Sequence, residues 1–414
     1  MGKRRFFKPF LILIVAVMTW VGWTAPAAAF SDEQKLILQS WRIVNQAYLD
    51  TTFNDQNWWS LRQKYLRRRL DNRDQTYDAI REMLATLDDP FTRLLEPEQY
   101  RSLQVNTSGE LSGVGLQINI DDESGQLEVV TPISGSPADA AGIKPRDRIL
   151  EIDGQSTAQL SLEEAASQMR GRTGTEVTLT ILRPATQEQK PYTLVRDRIA
   201  LNPVYAQLDT ESAPDPIGYV RLAQFSANAT AEMQDAIADL QDRGAKAFIL
   251  DLRNNPGGLL QAGVEIARLW LNDSTIVYTV NRQGVLGSFD AKHQALTEAP
   301  LVVLVNQGTA SASEILAGAL QDNGRAQLIG DRTFGKGLIQ SLFELPDDAG
   351  LAVTVAKYET PDHRDINKQG IAPDYTVEQD PIPISKIGTE VDSQYKKAIK
   401  VLTQNIIVAQ NDAA

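Results

Sequence analysis

Residues 247–260 read AFILDLRNNPGGLL, an apolar run that breaks into a polar turn bearing proline and glycine before helical spacing begins. A strand with one wet face alternates polar and apolar residues, so a run that is apolar throughout is a strand covered on both faces. Two near-continuous apolar runs flank it, IGYVRLAQF at 217–225 and PLVVLVN at 300–306, with helical patterns at Ala229 to Arg243 and Leu259 to Trp270 between them. Doubly covered strands joined by helical crossovers define a layered α/β core. Catalytic groups in such cores collect in the loops beyond the strand C-termini, which here read NNPGGLL and NQGTASASEILAGAL.

Upstream of this core the period changes. From Leu111, LSGVGLQINI, QLEVVTPI, RILEIDG and VTLTILR read as strands. Ser136-Pro137 opens a short helix that Gly142 closes, and Ser161 with Glu164 forms a capping box for a helix reaching toward Gly171. Strands enclosing one short and one longer helix form a compact binding module, and the polar, proline-bearing stretch Pro184 to Pro191 marks the change to the core. Residues 30–104 repeat apolar residues at helical spacing, with Trp41, Trp58, Trp59 and Tyr65 as anchors. Arg67-Arg68-Arg69 reads there as a solvated helix face nearly balanced by Asp71 and Asp74. Beyond Gln379-Asp380 and the prolines 381 and 383, YKKAIKVLTQNII is a short amphipathic helix.

At the N-terminus, Lys3, Arg4, Arg5 and Lys8 precede an apolar stretch from Phe10 to Trp23 and the small residues Ala27-Ala28-Ala29. The stretch is shorter than the ~18 to 20 residues of a membrane span, so it reads as a cleaved secretory signal peptide and the working protein as exported. The expected organisation is an α/β multidomain chain: signal peptide 1–29, helical region 30–104, binding module 105–197, α/β core 198–385 and helical tail 386–414.

Composition narrows the chemistry. With 414 residues, 42% hydrophobic and 23% charged, the chain is ordinary globular material for several domains. Its 41 basic against 53 acidic residues, net −12, argue against a nucleic-acid binder that relies on a positive field. No cysteine and two histidines remove thiolate nucleophiles, zinc-thiolate sites and most histidine-based enzymes, so neither metal nor cofactor is expected.

Ser311 stands at the strand-to-helix switch with Glu314 three residues on, a pattern that also reads as a plain capping box. Lys336 lies between Gly335 and Gly337, with Gln340 four residues later. Gly330 to Lys336 fits the phosphate-cradling G-x-x-x-x-G-K, but Gly337 replaces the Ser/Thr that holds magnesium and LIQSLFEL reads as strand where a helix is required. His293 and His363 lie in polar loops and no G-x-S-x-G occurs, so a serine–histidine pair has little support. A desolvated lysine can serve a serine as base instead. Gln340 shares a face with Lys336 and could orient its amine, and the amides of Ala312 and of Gly257 or Gly258 could form an oxyanion hole.

TASASEILAGALQDNGRA, TFGKGLIQ, DLRNNPGG and the GVGLQI-to-GTEVTLTILR module together resemble the carboxyl-terminal processing (tail-specific) serine proteases over nearly the whole chain after residue 29. The resemblance implies a nucleophile at Ser311, a base at Lys336 and a supporting Gln340. It makes the module of 105–197 a PDZ domain whose Gly113, Val114, Gly115 and Leu116 hold a substrate's C-terminal carboxylate while the tail adds as a strand. FNDQNWW, DDPFTRLLEPEQY and GELSGVGLQI are similar to the cyanobacterial and chloroplast branch, which includes the enzyme that trims the photosystem II reaction-centre precursor D1 in the thylakoid lumen. The implied partners are proteins with exposed C-terminal tails, including a membrane-embedded substrate approached from its surface. The enzyme is expected as a monomer or weak oligomer in the lumen or periplasm. The alternatives are a general quality-control protease and a non-catalytic PDZ binding or chaperone protein.

Overall fold

The computed structural model describes residues 30–121, 124–380, 382–383 and 386–412; the expected signal peptide at 1–29 lies outside the described residues. The chain forms two compact units, residues 30–94 with Leu342–Val353 and residues 95–341 with 354–412.

In the smaller unit the helices Asp32–Ala47, Trp58–Leu66 and Arg73–Ala85 start at Ser31, Asn57 and Asn72, each side chain accepting a free amide of the first turn. Their apolar stripes bury Ile37, Val44, Ile80 and Met83. The Trp41 and Trp58 indoles donate to each other's main-chain carbonyls at 2.9 and 3.4 Å. Arg68 and Arg69 face solvent and pair with Glu82 and Asp71, as a solvated face should.

The larger unit begins with the helix Pro97–Ser108. A five-strand antiparallel path follows, in the order Leu116–Ile120, Leu127–Pro132, Arg148–Ile152, Glu176–Arg183, Glu188–Val195, with the short strand Gln155–Ser156 paired to the third. Its apolar face closes over Val129, Ile149, Leu179 and Ile181, with the short helix Pro137–Ala140 and the helix Leu162–Met169 completing the module. LSGVGLQINI divides into two strands at Val114-Gly115, because Gly115 takes a left-handed φ of +79° that breaks the ladder. The stretch 184–191 supplies a turn and the first half of Glu188–Val195. Pro191, opposite Thr180, is tolerated because that strand ends the sheet path and its missing N–H costs no inner bond. The entering and leaving strands, Glu110–Gly113 and Asp197–Ala200, pair with each other antiparallel.

The core sheet has the order Val204–Asp209, Ile217–Leu222, Ala247–Asp251, Leu301–Val305, Gln327–Gly330, Tyr375–Thr376. Only the first pair is antiparallel. The crossover helices Ala229–Asp242, Leu260–Arg268 and Ala312–Asp322 cover one face, around Met233, Phe248, Trp270 and Leu316. The helix Ser393–Asp412 covers the other with Tyr395, Ala398 and Leu402. Inserted between core strands is a hairpin, Ser274–Asn281 and Gly284–Ala291, absent from the sequence reading. Register sets Asp251 beside Leu304 and Val305 beside Gly330, so the loops after three parallel strands leave from one edge.

Candidate active site

The three loops are tied to one another by polar groups that the sheet brings within reach. Thr309 donates its hydroxyl to the Leu252 carbonyl at 2.9 Å, Ser313 donates its hydroxyl to Asn255 O at 3.0 Å, and Phe334 N–H donates to Thr309 O at 3.0 Å. Both hydroxyls are fully buried and spent on carbonyls. Ser311, between them, is only half-buried.

Its backbone is the outlier of the segment. Ser311 adopts φ 59° and ψ −119° at the junction of the strand Leu301–Val305 and the helix Ala312–Asp322. A β-carbon disfavours this region by about 1–3 kcal/mol, and such strain persists only where the surroundings impose it. A sharp strand-to-helix turn of this kind lifts a serine hydroxyl out of the sheet edge.

Two buried side chains impose it. Glu314, fully buried, accepts four hydrogen bonds: Oε2 from the N–H groups of Ser311 and Lys336, each at 2.9 Å, and Oε1 from Gly335 N–H at 2.8 Å and the Thr333 hydroxyl at 2.6 Å. The capping-box reading therefore captured one of its contacts and missed three, since the others come from a loop about twenty residues away. Tyr358, also fully buried, places its hydroxyl 2.7 Å from the Lys336 carbonyl and 3.1 Å from the Ser311 carbonyl. Burial, and then the Glu314 charge, push this phenol well above its usual range, so it remains a donor. Nothing in the local sequence around Tyr358 signals this contact.

The glycines allow the approach. A β-carbon on Gly257, whose φ is +94°, would lie 2.7 Å from Ala310 O and 2.8 Å from Ser311 Cβ. Gly335 and Gly337 are crowded by the main chain of 367–370 in the same way. Gly257 N–H donates to Asn255 Oδ1 at 2.9 Å, whereas the N–H groups of Gly258 and Ala312 have no acceptor among the described residues. Gln340 lies on the strand Leu338–Glu344, its amide 3.5 Å from the Thr354 hydroxyl. The phosphate-loop alternative fails on this geometry, because the amides of Gly335 and Lys336 are held by a carboxylate and a strand follows. His293 and His363 are exposed, with ring nitrogens against Asp273 and Glu359.

Behind the NNPGG loop, Arg253 is clasped by Asp251 at 2.6 Å and Asp392 at 2.9 Å, and Tyr219 donates to Asp251 at 2.7 Å. Burial works to raise the Asp392 carboxyl, but the Arg253 bond and charge, with the Tyr395 and Gly388 amides, hold it below the usual carboxylate range. In the smaller antiparallel module, the Val114 and Gly115 N–H groups have no acceptor among the described residues, while their carbonyls accept from Ala138 and Ile133. The strand Leu116–Ile120 ends its sheet path, next to the helix Leu162–Met169.

A strained, half-buried serine with a lysine loop locked beside it, on an α/β sheet preceded by a small antiparallel module, defines a serine peptidase with a peptide-binding domain. Residues 216–377 match the peptidase family S41 and residues 128–183 match the PDZ domain. The carboxyl-terminal-processing protease of Synechocystis sp. is 60% identical over 100% of this chain and 97% of its own length. The chloroplastic C-terminal processing peptidase of Tetradesmus obliquus is 44% identical over 86% of this chain and 80% of its own length. The solved structure of a photosystem II D1 C-terminal processing protease superposes with a TM-score of 0.57 at 41% identity, covering 89% of this chain and 99% of that one. The chain belongs to peptidase family S41 and is a carboxyl-terminal processing serine peptidase that acts on protein substrates.

Proposed function

We propose that Ser311 is the nucleophile, Lys336 its base and Gln340 the side chain that orients the amine. The observation that carries this is the backbone of Ser311, held at φ 59° beside a lysine whose own N–H shares the same carboxylate oxygen. Ser311 Oγ attacks the scissile carbonyl as neutral Lys336 Nζ takes its proton, and the ammonium then returns a proton to the leaving amine. Water enters the same way, and its attack on the acyl-enzyme releases the new C-terminus. The developing oxyanion takes the amides of Ala312 and Gly258, and that of Gly257 once it displaces the Asn255 side chain.

The PDZ module of 105–197 captures the substrate first. The free amides of Val114 and Gly115, in the loop Gly113 to Leu116, suit a C-terminal carboxylate, and the edge strand Leu116–Ile120 suits β-addition of the tail. Residues 30–104 and 386–414 flank this module and the core of 198–385. Residues 1–29 act as a signal peptide that delivers the enzyme to the lumen or periplasm, where it works as a monomer or weak oligomer. The substrate is the C-terminal extension of photosystem II D1, reached at the membrane surface; similarity to the D1-processing structure supports this. Among the described residues no helix is long and apolar enough to cross a membrane.

The test is mass spectrometry of protein C-termini from cells carrying wild-type enzyme or Ser311→Ala. Accumulation of extended D1 alone supports the reading, many extended C-termini favour general quality control, and no change in any C-terminus overturns it.

A further inference from the structure

Ser311 and Lys336 are clamped to each other on both sides of their backbones. On one side a single oxygen, Glu314 Oε2, accepts both N–H groups at 2.9 Å. On the other, the Tyr358 hydroxyl lies against both carbonyls, 2.7 Å from that of Lys336 and 3.1 Å from that of Ser311. The two oxygens of this second contact differ in need. Ser311 O already accepts from Glu314 N–H at 2.8 Å and Ile315 N–H at 3.0 Å, so its orientation is set by the helix. Lys336 O belongs to a segment whose neighbours, Gly335 and Gly337, provide no side chains to hold it. One phenolic proton serves one acceptor well, and the shorter distance assigns it to Lys336.

We infer that Tyr358 is a positioning residue for the peptidase reaction, its hydroxyl fixing the Lys336 main chain against the Ser311 turn so that a base on a flexible stem meets the nucleophile in register. The inference rests on the Ser311–Lys336 reading and deepens it. A lysine side chain has four rotatable bonds, so the geometry of its amine is only as defined as its Cα, and misplacement of a reacting group by an ångström is costly in rate. Tyr358 is itself fixed: its ring is buried in the core cluster and its N–H donates to Gly337 O at 3.0 Å. That bond holds the residue after the lysine, so the strand Gly350–Glu359 grips the loop at two successive carbonyls.

The experiment is a double-mutant cycle read by the rate at which a fluorophosphonate probe labels Ser311, in the full-length enzyme. Wild type, Tyr358→Phe, Lys336→Ala and the double variant are compared, with melting temperature and circular dichroism recorded for each. Tyr358→Phe keeps the buried ring and should slow labelling by about tenfold, roughly the worth of one hydrogen bond. In the Lys336→Ala background it should slow labelling no further, because the hydroxyl acts through the lysine. Equal slowing in both backgrounds reveals a merely structural role and overturns the inference; so does unaltered labelling in Tyr358→Phe. If Tyr358→Phe fails to fold, 4-methylphenylalanine at position 358, which fills the hydroxyl's volume without donating, enters the same cycle with the same outcomes. A wild type labelled no faster than Ser311→Ala would instead overturn the assignment of the nucleophile.

Discussion

Ser311 keeps a backbone conformation that most residues avoid, and its neighbours show why no other hydroxyl of the segment can replace it. Thr309 and Ser313 are buried and bonded to carbonyls, so their oxygens reach neither solvent nor substrate. Ser311→Ala should leave a folded protein without cleavage of a tailed peptide. Ser313→Ala and Thr309→Ala should each keep Ser311-dependent cleavage while losing about 1 kcal/mol of stability with the deleted hydrogen bond, since the Asn255 and Leu252 carbonyls still accept main-chain N–H groups from Ala310 and Asn255. Cleavage assays by mass spectrometry and melting curves decide it, and a cleaving Ser311→Ala enzyme would remove the nucleophile. For the base, Lys336→Arg retains charge and reach but cannot release a proton in the working range. Its kcat should fall at least ~100-fold, the low end of what a general base contributes. An Arg variant within a few fold of wild type would rule out lysine as base.

At the scale of the element, the loop after Ala247–Asp251 and the turn before Ala312–Asp322 pack main chain against main chain, and glycine is the residue that permits it. Gly257→Ala adds a methyl 2.7 Å from Ala310 O at a left-handed φ, whereas Gly244→Ala adds one at φ +95° with nothing within 4 Å. Both substitutions carry the backbone penalty of about 1–3 kcal/mol. Only Gly257→Ala should lose activity, because only there does the shift reach Ser311. Parallel measurement of kcat and melting temperature separates the two, and equal activity in both variants would dissociate the glycine loop from catalysis. The proposed carboxylate capture by the loop Gly113 to Leu116 makes a second prediction at this scale: a C-terminally amidated peptide, unable to present an anion to the Val114 and Gly115 amides, should show a raised KM with kcat little changed. Identical KM for amide and acid would count against carboxylate capture.

At the scale of the molecule, the catalytic edge of the larger unit is buttressed by an ion cluster joining the Arg253 strand end to Asp392, which precedes the C-terminal helix Ser393–Asp412. The Asp392 carboxyl is depressed in the folded state, so its contribution is complete above the unfolded carboxylate value near ~3.9 and is lost as pH falls through the lower folded value. Wild-type stability in urea should therefore decline below about pH 4. Asp392→Asn should be less stable at pH 7 by ~2–4 kcal/mol and show a flatter decline in acid, since Arg253 keeps Asp251 but loses a buried counter-charge. An unchanged urea midpoint at pH 7 would mean that the cluster contributes nothing to stability.

What the chain specified by itself were the features that depend on near neighbours or on local pattern. Near-continuous apolar runs marked three central strands of the core sheet, Ser161 with Glu164 marked a helix start, and the TASASE and TFGKG segments carried the family resemblance from which Ser311 and Lys336 were assigned. Period and capping are decided within a few residues, so they are legible in order along the chain. The hairpin of 274–291 was not, because strands on a partly exposed sheet carry a weak pattern. The fourfold use of Glu314, the reach of Tyr358 to two carbonyls and the pairing of Arg253 with Asp392 were decided only by the tertiary structure. Each is a polar contact between segments that the sheet order, not the sequence order, makes adjacent, and a buried hydrogen bond leaves no trace in the chain beyond the presence of its two ends.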